Sequence, residues 1–272
     1  MTYSSRVWLY APVTAFLLLA LGAVGHWWIN ARAVEAKLAA MNGQQAIPGV
    51  TVSWTKAAVS GIPFRLDVVF GDFLVRAQAP RGPVTWQSAS FASHALDYGR
   101  SHEIFEAAGT QTLTWTGVDG MAHRLSFLPG SLRASAIADG NGLARFDLDL
   151  VGAVGRTGDG AAFTLGRGQF HMRRDPKTDA LDLMLSAVAL RAPATPFGDR
   201  IRKLELYSRV TEAGAFRRLL AGRAGWMDAL MAWRHDRGEI VNGPFHVEAT
   251  KLTADRATGL EAPLRALLFA FY

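Results

Sequence analysis

The sequence predicts a mainly β fold of the α+β kind: a large, curved antiparallel sheet with one long amphipathic helix late in the chain, preceded by an N-terminal transmembrane helix. Three observations predict it. Apolar and polar residues alternate with period two through most of residues 44–272. One stretch near residue 220 shifts to the three-and-four spacing of a helix. The chain also opens with a long run of apolar residues that carries no charge.

That run extends from Val7 to Ile29, 23 residues without Asp, Glu, Lys or Arg. At about 1.5 Å rise per residue it spans roughly 30 Å of hydrocarbon. Arg6 precedes it, and Trp27 and Trp28 close it, where indoles favour the membrane interface. The expected organisation is a cytoplasmic N-terminus at residues 1–6, a transmembrane anchor at 7–29, a helical stalk at 30–43 and a periplasmic β-rich domain at 44–272. Ala31-Arg32-Ala33 has the small-x-small form of a cleavage site, but the apolar core is longer than the 7–15 or so residues of a secretory signal. The stalk is rich in helix formers, with Val34, Leu38 and Met41 at helical spacing, and Asn42-Gly43 ends it.

In the body, Val50, Val52 and Trp54 form one alternating run and Phe64, Leu66, Val68 and Phe70 the next, joined by the turn signal Gly61-Ile62-Pro63. Further strands are expected at Phe73–Ala79, around Val84–Trp86, at Leu113 and Trp115, at Leu125 and Phe127, and at Leu132–Ala138. Alternation is clearest at Ala144–Val151, where Phe146, Leu148 and Leu150 face one way and Arg145, Asp147 and Asp149 the other, so one face of the sheet is wet. Strands follow at Phe163–Leu165, Gln169–Arg173, Leu181–Leu190 and Lys203–Arg209. Asp119-Gly120, Asp139-Gly140 and Asp175-Pro176 are expected turns. Ser101–Ala108 reads as a short helix. Gly214–Trp233 reads as the long one, with Phe216, Leu219, Leu220, Met227, Leu230 and Met231 in a single apolar stripe. A hairpin is expected around Asn242-Gly243-Pro244, and the apolar end Pro263–Tyr272 is expected to pack on the domain. Short sequential connections predict antiparallel pairing, with a closed barrel as the alternative to an open sheet.

Composition excludes several classes of function. The net charge is +6, but the basic residues are scattered and only five are lysines, which argues against a nucleic-acid interface and fits attraction to anionic lipid headgroups. The absence of cysteine excludes disulfides and thiol chemistry. No G-x-S-x-G elbow, phosphate-binding loop or H-E-x-x-H pair occurs. The glycine pairs Gly140/Gly142, Gly158/Gly160 and Gly166/Gly168 read as turns. His94 and His102, with Asp97 and Glu103 nearby, are the nearest approach to a metal or acid–base cluster. Asp147 and Asp149 are the nearest to a pair of hydrolytic carboxylates, although their alternation places them on the solvent face. No catalytic residue, metal ligand or cofactor is assigned, and the expectation is a protein that is not an enzyme.

Aromatic residues are the more suggestive feature. One helix cannot cover a sheet of about a dozen strands, so part of an open apolar face would remain as a groove. Trp54, Phe64, Leu66, Trp86, Trp115, Phe146 and Leu148 are the candidate ligand contacts.

The pattern W-x6-G-I-P-F-R-L from Trp54 to Leu66, the single N-terminal anchor and the late R-G-E-I-x-N-G-P-F segment from Arg237 to Phe245 resemble the uncharacterised proteobacterial family known as domain of unknown function 2125. The resemblance implies a shared fold and brings no catalytic residues. More distantly, the layout is similar to that of AsmA-like envelope proteins, which implies a lipid-related role in the bacterial envelope. Together these give an expected inner-membrane protein with its bulk in the periplasm and membrane lipid as its partner. A scaffold for an envelope protein partner is the second expectation, and an envelope hydrolase with an unrecognised site the third.

Overall fold

The computed structural model describes residues 5–249, apart from 80, 97–100, 118 and 196, together with the strand Thr253–Ala254. The expected packing of Pro263–Tyr272 and the proximity of Asp97 to His94 lie outside the described residues.

The uncharged N-terminal run is part of a 37-residue helix, α1 (Ser5–Met41). It ends as expected at Asn42-Gly43, where Gly43 adopts φ 78°. Fourteen strands follow in one antiparallel sheet. They are β1 (Gln45–Ile47), β2 (Val50–Ser53), β3 (Lys56–Ser60), β4 (Arg65–Ala77), β5 (Val84–Leu96), β6 (His102–Thr116) and β7 (Ala122–Leu128). The series continues with β8 (Ser131–Asp139), β9 (Gly142–Thr157), β10 (Ala162–Asp175), β11 (Ala180–Thr195), β12 (Gly198–Val210), β13 (Ile240–Ala249) and β14 (Thr253–Ala254). β2 and β3 share one register against β4, and β7 and β8 share one against β9, so each pair is a single strand with a gap. The sheet is thus a simple meander in which each strand lies beside its sequence neighbours. Its described path has two ends, β1 and β14, and is not closed into a barrel.

Several expected turns are bends within longer strands. Gly166 and Gly168 lie inside β10, and Gly243-Pro244 lies inside β13 opposite Tyr207, as a bulge rather than a hairpin turn; the runs expected as separate strands on either side of Gly71-Asp72 are one strand, β4, with Asp72 at φ 50°. Ser101–Ala108 is not a helix. Its residues open β6, paired on both sides, and Phe105 and Ala107 face the sheet's apolar side.

These interruptions line up. Between β4 and β5 the register skips Asp72, and between β5 and β6 it slips at Ser88/Ser90 opposite Gly109, which has φ 73°. The line continues through the Pro129-Gly130 gap, Gly152 at φ 63°, Gly166, Ala189 at φ 53° and the register shift at Ile201/Lys203. One crease therefore crosses the sheet from β4 to β12. The register shifts at Ser88/Ser90 and Ile201/Lys203; at the other points residue pairs drop out of the ladder with the register kept, and the aligned series of shifts and positive-φ residues bends the whole sheet.

The carbonyls released at the crease are satisfied by buried polar side chains. The fully buried Gln111 donates from Nε2 to Ala108 O (3.2 Å) and Gly109 O (3.1 Å), and its Oε1 accepts from Trp86 Nε1 (3.1 Å). Ser88 Oγ donates to Ser90 O at 2.7 Å; Gly71 O, by contrast, accepts both the backbone N–H and the hydroxyl of the exposed Thr55, each at 3.0 Å. A buried carbonyl without a partner costs about 1–3 kcal/mol, so these contacts decide whether the bend is tolerated.

The expected long helix folds as a 3-10 turn (Ala213–Phe216), α2 (Arg217–Leu220) and α3 (Trp226–His235). The apolar stripe is real, but Gly222 at φ 68° stops the first part and Gly225 caps the start of the second. Phe216, Leu220 and Trp233 pack, together with Met172 and Leu183, on the buried cluster Leu181, Val210 and Ala213. The same insert reaches the first strands, where Trp226 Nε1 donates to Gln78 O. Contact of one insert with both regions makes the apolar face the inner face of the curl.

Replacing Gln111 by Leu keeps the volume and leaves the Ala108 and Gly109 carbonyls unpaired. It is predicted to lower stability by about 2–3 kcal/mol. Gln87→Leu, at an exposed position on the neighbouring strand, is predicted to change it by no more than about 0.5 kcal/mol. Urea unfolding of the two variants checks this.

Candidate functional site

The inner face carries an unbroken row of one residue per strand: Val68, Ser93, Phe105, Ala134, Leu148, Phe170, Leu185, Leu206 and Phe245. A parallel row runs Phe70, Phe91, Ala107, Leu132, Leu150, Gly168, Ala187, Leu204 and Val247. Both rows are products of strict alternation, since one residue of slip would send either to the opposite face.

Burial along the first row is uneven. Val68 lies at 8% exposure beneath α1, whose Val34 and Leu38 pack on Val68, Phe70 and Phe73. At the other end Leu206 and Phe245 are at 5% and 2%. Between them Phe105, Leu148 and Phe170 are half-buried, and Leu185 is 42% exposed. Fully burying such a side chain is worth about 1.5–3 kcal/mol, so on the order of 1 kcal/mol per residue remains to be gained from an apolar ligand.

The seven candidate contacts divide accordingly. Trp54 and Trp86 belong to an aromatic cluster under α1, with Trp54–Phe70 centroids 4.9 Å apart and Trp86–Phe91 5.6 Å. Leu66 is at 7% exposure beside that cluster and is core. Phe146 and Leu148 lie in the open middle, with Phe146 6.3 Å from Phe170. Trp115 stacks on His123 at the far end of β6. Phe64 precedes β4 in the turn and is 58% exposed, so it does not join the others. Phe105, Phe170 and Leu185 complete the middle of the row and were not among the candidates. Their alternation gives them an apolar phase, but only register places them beside Leu148.

The outer face is a lattice of ion pairs. Asp67 accepts from His94 Nδ1 (2.8 Å) and Arg65 (2.9 Å), and Asp147 from His171 Nδ1 and Arg145 Nε, both at 2.6 Å. The two sites share a plan, R-x-D on one strand with a histidine opposite the aspartate on the next. Asp149 is held by Arg167 (2.7 Å). His94 thus pairs with Asp67 rather than sharing a cluster with His102. Burial pushes the Asp147 carboxyl up, but the hydrogen bonds from His171 and Arg145 pull it further down, leaving it below the ordinary carboxylate range.

Ser135 stands directly opposite Asp147. His171 lies one strand beyond, so about 9–10 Å separates its strand from the serine's. A serine nucleophile needs the imidazole, not the carboxylate, as its neighbour. Among the described residues no group of three or more His, Asp or Glu side chains is placed to hold a metal ion.

Fold and site together define an antiparallel meander capped on its inner face by an N-terminal helix long and apolar enough to cross a membrane. A family model described as an uncharacterized protein conserved in bacteria, DUF2125, matches residues 27–262, and the chain belongs to that family. No curated protein and no solved structure matches it.

The Asp147 pairing predicts a pH signature. A carboxyl lowered in the folded state contributes stability above its unfolded pKa, near 4, and loses it as the pH falls through the folded value. Asp147→Asn is therefore predicted to cost about 1 kcal/mol at neutral pH, with the gap from the parent protein closing below about pH 4. Unfolding curves across that range would show a constant gap if Asp147 were not held in this way.

Proposed function

We propose that this protein is a non-enzymatic, single-pass protein of the bacterial inner membrane, with its body in the periplasm, and that it binds the acyl chains of membrane lipid on the inner face of its sheet. The observation that carries this reading is the half-buried row Phe105, Leu148, Phe170 and Leu185, open between two covered ends. Exposed apolar surface lying inside a curled sheet suits a flexible hydrocarbon chain, which gains roughly 0.8 kcal/mol per buried methylene. A non-enzymatic reading is supported by the outer face, where Asp67 and Asp147 are each engaged by a histidine and an arginine and Ser135 stands in the ladder between Ile104 and Asp147.

Native mass spectrometry with lipid extraction tests the reading on the full-length protein in mild detergent. Stoichiometric phospholipid is expected. Leu148→Asn combined with Leu185→Asn is predicted to weaken retention about thirtyfold, since two contacts of order 1 kcal/mol are lost. An empty, folded protein that instead co-purifies with a second polypeptide would replace lipid binding by the scaffold reading.

A further inference from the structure

The turn between β3 and β4 is fastened to the membrane helix. Trp27 Nε1 donates to Arg65 O at 2.6 Å, and Arg65 N donates to Gly61 O at 2.9 Å, so the five residues from Gly61 to Arg65 form one compact turn against α1. Trp27 falls within the last three residues of the uncharged run Val7–Ile29, where tryptophan favours the interface of a bilayer. The turn is thereby fixed at the same depth. Its apolar side chains point away from the domain core: Ile62 is 55% exposed and Phe64 58%. Beside them Trp28 and Ile29 of α1 are exposed at 55% and 64%. Along α1, by contrast, Ala31 is buried and Val34 and Leu38 pack on the sheet, so the helix passes from its exposed apolar part to a docked part within a turn of Trp27.

We propose that Ile62 and Phe64 form a second membrane contact, entering the interface of the same bilayer that α1 crosses. Continuity with the helix is what selects a bilayer over other apolar partners, because the turn and Trp27 share one level and one hydrogen bond. Two contacts fix the orientation of a body that one helix alone would leave free to tilt. They place the start of β4 at the membrane and the β6–β7 turn, with Met121 at 64% exposure, at the far end of the strands. This inference rests on the reading of α1 as a membrane-spanning helix.

The native chain has no cysteine, so single cysteines can be labelled cleanly. Full-length Leu21→Cys, Ile62→Cys, Phe64→Cys and Met121→Cys variants would carry an environment-sensitive fluorophore in vesicles of phosphatidylethanolamine and phosphatidylglycerol. Spin-labelled lipids with the quencher near the headgroup would then be added. Quenching at Ile62→Cys and Phe64→Cys at least twofold greater than at Met121→Cys, with blue-shifted emission, is expected. Water-like emission at both turn positions while Leu21→Cys is quenched would overturn the inference and leave the anchor intact. Loss of quenching at Leu21→Cys as well would overturn the anchor, and the inference with it.

Discussion

A meander about twelve strands wide must bend if its apolar face is to be enclosed, and the bend here is concentrated in one line of ladder interruptions. Asp72, Gly109, Gly152 and Ala189 hold positive φ along that line, and Pro129, with no N–H to donate, stands in the gap between β7 and β8. Two of the four are not glycine. For residues with a side chain such a conformation costs of order 1 kcal/mol or more, and it persists only where neighbouring contacts over-determine it. Gln111 and Ser88 are such contacts at β5 and β6, binding carbonyls that the ladder no longer uses, and beside Asp72 the Thr55 hydroxyl bonds both Gly71 O and the Asp72 carboxylate.

The remaining architecture follows from the bend. With the apolar side inward, α1 covers one part of it and the insert from Ala213 to His235 covers another, each through a few large side chains. The insert meets β9, β10 and β11 near Gly142, Met172 and Leu183, and further along those strands Leu148 and Phe170 stay half-buried although they lie in the same row as the buried Val68 and Phe245. The polar side, turned outward, is stabilised by cross-strand ion pairs that are mostly solvent-exposed. Such pairs contribute little individually, and they specify register as much as stability. The N-terminal helix has a double part in this scheme, since it is long and apolar enough to cross a membrane and its last turns are also a lid over β4.

Alternation made the sheet legible in the sequence, most clearly in β9, where Phe146, Leu148 and Leu150 do lie on the apolar face and Arg145, Asp147 and Asp149 on the polar one. The extent of α1 was equally legible from its uncharged run and the Asn42-Gly43 stop. Strand lengths were not, because Gly71-Asp72, Gly166 and Gly243-Pro244 carry the same local signal whether a chain reverses or only bends. The break at Gly222 was hidden by a stripe that continues in phase on both sides of it. Of the site, Phe146 and Leu148 were found and Phe170 and Leu185 were not, since their meeting depends on pairing between separate strands. The Asp67–His94 and Asp147–His171 pairs join residues 27 and 24 positions apart. Their one sequence trace is the repeated R-x-D of Arg65–Asp67 and Arg145–Asp147.

The central claim is that the middle of the inner face holds acyl chains. Crosslinking with a phospholipid that carries a photoreactive group on its acyl chain, in membranes containing the full-length protein, tests it most directly once the labelled residues are mapped by mass spectrometry. The account predicts labelling at Phe105, Leu148, Phe170 and Leu185, with Val247 and Phe245 protected. Labelling confined to α1, with the central strands untouched, would contradict it.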